Sequence, residues 1–117
     1  MEPISSESAQ VQLERFVNQD VYLHLETTNG AYAALNSENT MAIAAYIRNG
    51  IVRFERAVMA GQGPYRVGLK MDNGGWIYAE GLTDWEVDDQ NRLLLAGHDS
   101  EGRIAISLQL SMTPFPM

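Results

Sequence analysis

The chain contains no cysteine. That excludes disulfides, thiolate metal sites and cysteine nucleophiles, and it removes any reason to invoke an oxidising compartment. Histidine is scarce, with two in 117 residues, His24 and His98. Long apolar runs are missing as well, since the longest, Met41 to Ile47, is far short of a bilayer span. Met1 to Gln12 carries Glu2 and Glu7 and no basic residue, so no secretory signal is expected there and the expected location is the cytoplasm. Positive charge is in deficit, with a net charge of −7. Arg48, Arg53, Arg56, Arg66 and Lys70 lie near one another, but Glu55 interrupts them and most fall on strands whose faces alternate. No continuous basic stripe is expected, hence no nucleic-acid partner and no membrane partner. The acidic balance mainly predicts solubility.

What is present reads as one short helix followed by strands. Residues 5–19 have helical spacing, with Ala9, Leu13, Phe16 and Val17 on one face. Ser5 or Ser6 can cap this helix, and Glu7 suits its positive end. After Asp20 the period becomes two, as Val21, Leu23 and Leu25 alternate with Tyr22, His24 and Glu26. Asn29-Gly30 and Asn49-Gly50 read as hairpin turns, with a return strand over Ala31 to Leu35, a polar loop over Asn36 to Thr40, and strands over Met41 to Arg48 and Ile51 to Ala60. In the last of these Arg56 falls on the apolar face. Gly61-Gln62-Gly63-Pro64 reads as a backbone bend. Strands then follow over Tyr65 to Met71, Trp76 to Gly81, Leu93 to His98 and Arg103 to Ser111, with Thr83 to Val87 continuing the second after a bend. Turns fall at Asp72 to Gly75, Asp88 to Asn91 and Asp99 to Gly102, and the tail 112–117 should be irregular.

Eight or nine short strands joined by tight turns predict a mainly β fold. The expected form is a curled antiparallel sheet or a partly closed barrel with one N-terminal helix, in a single domain spanning 1–117. No strand–helix–strand spacing follows residue 20, which excludes a parallel α/β fold.

Two strands carry residues with chemical potential. Tyr22, His24 and Glu26 share one strand face, where alternate side chains converge. With His98, His24 and Glu26 suggest a metal site only if distant strands meet; otherwise they form a solvated face. Trp76, Tyr78 and Glu80 share another face, and aromatics beside a carboxylate suit a sugar or cation; the alternative is that the rings cover one side of the core. Trp85, between Asp84 and Glu86, carries the same two readings. Arg66, at the exit of the glycine-rich bend, can bind a carboxylate. That bend opens no helix and so is neither a phosphate loop nor a dinucleotide fingerprint. No nucleophile elbow or metalloprotease or deaminase motif appears, and no catalytic residue, metal or cofactor is assigned.

Five segments in order, YLHLETTNGAY (22–32), AYIRNG (45–50), GPYRVGLK (63–70), GWIYAEGLT (75–83) and LLLAGH with GRIAISLQLS (93–111), resemble the YojF-like family of small bacillus proteins. The resemblance covers nearly the whole chain and implies a mainly β fold. It brings no catalytic residues. It also implies a genomic association with a zinc-dependent deacetylase of bacillithiol biosynthesis, which is not itself a mechanism. The expectation is an accessory or interaction protein, a homodimer or a partner of that deacetylase. The alternative is a protein that binds a small ligand (an amino sugar, a thiol or a metal) in a cleft lined by Tyr22, His24, Glu26, Trp76, Tyr78 and Glu80.

Overall fold

The computed structural model of the chain describes residues 1–28 and 44–117. The expected turn at Asn29-Gly30, the return strand over 31–35, the loop over 36–40 and the first residues of the strand beginning at Met41 lie outside the described residues. Two segments precede the sheets proper. Strand β1 (Glu2–Pro3) was not anticipated, and helix α1 (Ser6–Glu14) is shorter than the expected 5–19. Beyond Glu14 the turn tightens, with Phe16 N–H on Leu13 C=O and Val17 N–H on Glu14 C=O. It ends where Asn18 takes a left-handed φ of 62°, a conformation that a short polar side chain tolerates. The expected stripe holds, because Ala9, Leu13 and Phe16 are fully buried while Val11 is exposed. Ser5 occupies the N-cap position without a side-chain cap bond; its Oγ contacts Ser8 Oγ instead.

The remaining strands are β2 (Val21–Thr28), β3 (Ala44–Val52), β4 (Phe54–Ala60), β5 (Tyr65–Met71), β6 (Trp76–Leu82), β7 (Asp84–Val87), β8 (Leu93–His98) and β9 (Ile104–Ser111). They form two antiparallel sheets, one in the order β1-β7-β8-β9-β2-β3 and one in the order β4-β5-β6. The curled antiparallel expectation therefore holds, distributed over two sheets, and no closed barrel forms. The strands β4 to β6 and β7 to β9 are each meanders. The larger sheet is completed by β9 pairing with β2, which joins the two ends of the chain.

Three expectations are corrected. Asn49-Gly50 is not a hairpin turn but lies inside β3. Asn49 does adopt the positive φ that the dipeptide favours, 56°, yet the outcome is a β-bulge: Leu23 faces Gly50 while Leu25 faces Ile47, so β3 carries one extra residue. The run Ile51 to Ala60 is not one strand, because the chain leaves the larger sheet at Arg53 and enters the smaller one at Phe54. Arg53 holds this crossing with ion pairs to Asp20 and Asp72. Finally, Arg56 is not on the apolar face. A second bulge sets Phe54 opposite Met71 and Arg56 opposite Lys70, which shifts the alternation by one residue. Phe54 and Ala57 face the core, and Arg56 faces outward with Val58.

The sheets share one core, in which Leu23, Leu93, Leu95, Leu108 and Leu110 of the larger sheet meet Phe54, Val67, Leu69 and Leu82 of the smaller, with Leu13 and Phe16 closing it. The sheets approach most tightly at Gly97, where a Cβ would sit well inside van der Waals contact of the Gly81 carbonyl oxygen. The edge of β4 is covered from α1: Gln10 Nε2 donates to Ala57 C=O at 2.8 Å, and Gln10 Oε1 accepts from Met59 N–H at 2.8 Å. One side-chain amide thus replaces a neighbouring strand and blunts an edge that would otherwise be open to pairing.

The hairpins β7–β8 and β8–β9 repeat one device. In each, an aspartate (Asp88 or Asp99) accepts from the backbone N–H groups two and four residues on, and from the Nε of the arginine at the latter position. A left-handed Asn91 or Gly102 precedes that arginine. These bonds hold both carboxyl groups below the usual carboxylate range, against an opposing effect of burial.

Candidate functional site

The strand pattern places the sequence-predicted residues on two separate surfaces. Tyr22, His24 and Glu26 lie on the outward face of β2, since Val21 and Leu23 point into the core. Tyr22 faces Ile51 and Ser111, His24 faces Gln109, and Glu26 faces Tyr46 and Ser107. Trp76, Tyr78 and Glu80 lie on the outward face of β6, with Ile77 and Ala79 inward, and Arg66 lies outward on β5. The two surfaces point away from the shared core in different directions. The expected cleft lined by both sets is therefore not formed.

Around His24 the surface on the larger sheet is met by the chain's own tail. Phe115, in the irregular segment after β9, is buried against it. Its ring meets the His24 ring edge-on at 6.3 Å and lies under the guanidinium groups of Arg48 and Arg92, at 4.9 and 5.6 Å. Asn49, at the bulge, clamps the same residue: its Nδ2 donates to Phe115 C=O at 2.9 Å and its Oδ1 accepts from Phe115 N–H at 2.7 Å. Arg48 Nη1 stands 3.4 Å from His24 Nδ1. Because a guanidinium only donates, that nitrogen is the acceptor. Burial, then the Arg48 charge, pushes the His24 pKa below its ordinary value, with Glu26 opposing. His24 is thus a neutral anchor for the tail.

His98 does not join it. Its Nδ1 lies 2.9 Å from Asp84 Oδ1, and its backbone N–H donates to Thr83 Oγ1. Hydrogen bonds from Thr83 and His98 hold the Asp84 carboxyl below the usual range. Among the described residues no three His, Asp or Glu side chains are grouped closely enough to hold a metal ion, so His24, Glu26 and His98 do not converge. Trp85 packs inward against the core. Its indole N–H is buried without a partner among the described residues, beside an open hollow of about 490 Å³ that Met1 and Glu2 help to line.

The outward face of the smaller sheet is organised differently. Cross-strand pairing sets up three rows: Arg56, Lys70 and Trp76; Val58, Gly68 and Tyr78; Ala60 and Arg66, with Glu80 beyond. Gly68 at the centre has no side chain, and the aromatic rings of β6 fill the space this leaves. The Tyr78 and Trp76 rings lean over it so closely that a Cβ on Gly68 would lie 3.0 Å from Tyr78 and 3.3 Å from Trp76. The two rings stack with centroids 5.4 Å apart and planes 3° from parallel. Arg66 stacks on Tyr78 at 4.1 Å and pairs with Glu80 at 2.8 Å. The result is a groove of about 200 Å³ lined by Arg56, Val58, Ala60, Arg66, Gly68, Trp76 and Tyr78. Trp76 remains 39% exposed and Tyr78 47%, so these rings are wall and not core.

Of the residues that line this groove, sequence reasoning reached Arg66, Trp76 and Tyr78 but not Arg56 or Val58. The bulge that turns Arg56 outward leaves no mark in the sequence. It also brings Arg56 to the same face as Arg66 and Lys70, which are paired there with Glu80 and Glu55. Phe115 was missed too, although a lone aromatic between two prolines in an irregular tail is a readable sign of an anchored segment.

Fold and site together define a mainly β, two-sheet domain with an open groove on an exterior sheet face. The chain belongs to the family described as Protein of unknown function (DUF1806), whose model matches residues 3–115. It is 54% identical over 115 residues to the uncharacterized protein YojF of Bacillus subtilis (strain 168), with 98% of each chain covered. The crystal structure of Bacillus subtilis YojF protein shares the fold at a TM-score of 0.83 and 49% identity, covering 99% of this chain and 97% of that one. No helix among the described residues is long and apolar enough to cross a membrane.

Proposed function

We propose that this protein is a small-ligand binding module and that its ligand occupies the groove on the outward face of β4, β5 and β6. The observation that carries the reading is the Trp76–Tyr78 stack held over Gly68. Two large rings left half-exposed on a sheet face, ordered by stacking and by Arg66, form a preorganised binding wall of the kind that gives affinity at small entropic cost. The Tyr22, His24 and Glu26 half of the sequence-derived cleft drops out of the proposal, because it lies on the other sheet and Phe115 packs against His24. A small-molecule thermal-shift screen tests the reading, since a bound ligand raises apparent stability by mass action. Trp76→Ala should abolish any shift found with the unmodified protein. Shifts that persist in Trp76→Ala would refute the groove as the site.

A second reading is an accessory protein, homodimeric or paired with a deacetylase of the bacillithiol pathway. Exposed Tyr46 and Ile51, on one face of β3, favour it, because apolar side chains exposed on one face are a common mark of a protein interface. Co-expression with such a deacetylase followed by size-exclusion chromatography tests it. Separate elution as a monomer, with deacetylase activity unchanged on addition of the protein, would remove its support.

A further inference from the structure

We infer that the groove takes a small organic anion, with the charged group on Arg56 and an apolar or flat body lying along the Val58, Trp76 and Tyr78 lining. The inference rests on the groove being a ligand site, as proposed above, and it names the class of ligand.

The charge distribution comes first. The chain carries −7 overall, yet Arg56, Arg66 and Lys70 are gathered on this one face. Two of the three are already committed. Arg66 is neutralised by Glu80 at 2.8 Å and stacked on Tyr78, and Lys70 is paired with Glu55 at 3.1 Å. Arg56, in the groove wall, has no ion pair or side-chain hydrogen bond among the described residues. A guanidinium presents its donors in a planar fork that matches carboxylate and phosphate oxygens.

The same arrangement argues against a cation. Aromatic faces attract cations, but one face of Tyr78 is taken by Arg66, and a cationic ligand would meet the unpaired Arg56 in a groove this small. Size limits the ligand further. A groove of about 200 Å³ is below the roughly 300 Å³ at which pockets for drug-sized ligands begin. It suits a single ring or short chain bearing one anionic group.

The test uses isothermal titration of the full chain with benzoate, phenyl phosphate, benzyl alcohol and benzylamine. At least one anion should bind with Kd on the order of 1 mM, and the tighter of the two identifies a carboxylate or a phosphate head. Benzyl alcohol and benzylamine should bind at least about tenfold more weakly, and Arg56→Gln should weaken the anion by about tenfold or more. The melting curve of Arg56→Gln reports its folding separately. If benzyl alcohol binds as well as benzoate, and Trp76→Ala abolishes both, the groove is a site but the anionic class is wrong. If an anion binds equally to Arg56→Gln, the assignment of its charge to Arg56 is wrong. If no probe binds up to about 50 mM, the groove itself fails as a ligand site, and this inference fails with it.

Discussion

Replacing Asn49 by alanine should detach the C-terminal tail and weaken the fold measurably. Asn49 does two things at once. Its amide makes two bonds with the backbone of Phe115, at 2.9 and 2.7 Å, and its backbone sits at φ 56°. Each hydrogen bond contributes about 1 kcal/mol net, and an alanine forced into the left-handed region costs about a further 1 kcal/mol. Asn49→Ala should therefore destabilise by about 3 kcal/mol. Asn49→Gly tolerates the conformation but loses both bonds, and should cost about 2 kcal/mol. With a urea m-value of about 2 kcal/mol/M for a domain of this size, these are midpoint shifts of about 1.5 and 1 M. The tail, no longer clamped, should also become a substrate for carboxypeptidase in the folded protein, as Phe115 leaves the His24 and Arg48 surface. The order Ala worse than Gly separates backbone strain from lost bonding. A midpoint for Asn49→Ala within about 0.25 M of the unmodified protein, equivalent to about 0.5 kcal/mol, would refute the clamp.

Three further outcomes are expected. Gly97→Ala pushes a methyl into the Gly81 carbonyl at the tightest sheet contact and should cost about 2–3 kcal/mol; an unchanged thermal melt would contradict the close approach. Gln10→Ala removes both bonds that cover the β4 edge. The Met59 amide should then exchange with solvent deuterium at least about tenfold faster, given about 1 kcal/mol per bond, and unchanged protection would rule out the edge role. Stability should also depend on pH through His24. Its folded pKa is lowered from 6.5, so the unfolded chain binds the proton first. Stability is then present above 6.5, declines as pH falls through that value, and stops declining below the folded pKa. Asp84, Asp88 and Asp99, lowered from 3.8, add losses only below that value. Urea midpoints between pH 7 and 5 should fall in the unmodified protein and flatten in His24→Gln. Parallel curves would show that His24 does not carry the effect.

Two side-chain amides recur as substitutes for strand partners. Gln10 supplies an acceptor and a donor to β4, and Asn49 does the same for Phe115. Each sits where main-chain pairing stops, at a sheet edge or at a tail that never becomes a strand. An unpaired buried backbone group costs about 1–3 kcal/mol, so a flat amide that carries both functions is an economical cover for such places. The Asn49 clamp lies on the other sheet from the groove, while Gln10 closes the edge of the strand that carries Arg56, Val58 and Ala60. The protein thus spends its polar residues on closing the fold in two places and leaves the face with Arg56 and Trp76 open.

The alternating runs of β2, β5, β6 and β9, and the helical stripe through Leu13 and Phe16, were legible because periodicity depends only on near neighbours. A residue's side is set by the geometry of its own strand or helix. The hairpins at Asp88 and Asp99 were legible for the same reason, their aspartates bonding to backbone two and four residues away, and so was the one at Asp72, where the Asn73 amide oxygen accepts from Gly75 N–H. Asn49-Gly50 marks the boundary. Local sequence determined that φ would be positive there, but the same φ serves a turn or a bulge, and the choice depended on β2 and Phe115 lying across it. The division of β3 from β4, the outward turn of Arg56, and the placement of His24 and Trp76 on unrelated surfaces were likewise decided only in the tertiary structure. Each depends on which strands pair and in what register, a balance among contacts between residues far apart in the chain. The groove is a product of that level, since Trp76, Tyr78 and Arg66 could be read from their own strands, while Arg56 reached the same face only through its register with Lys70.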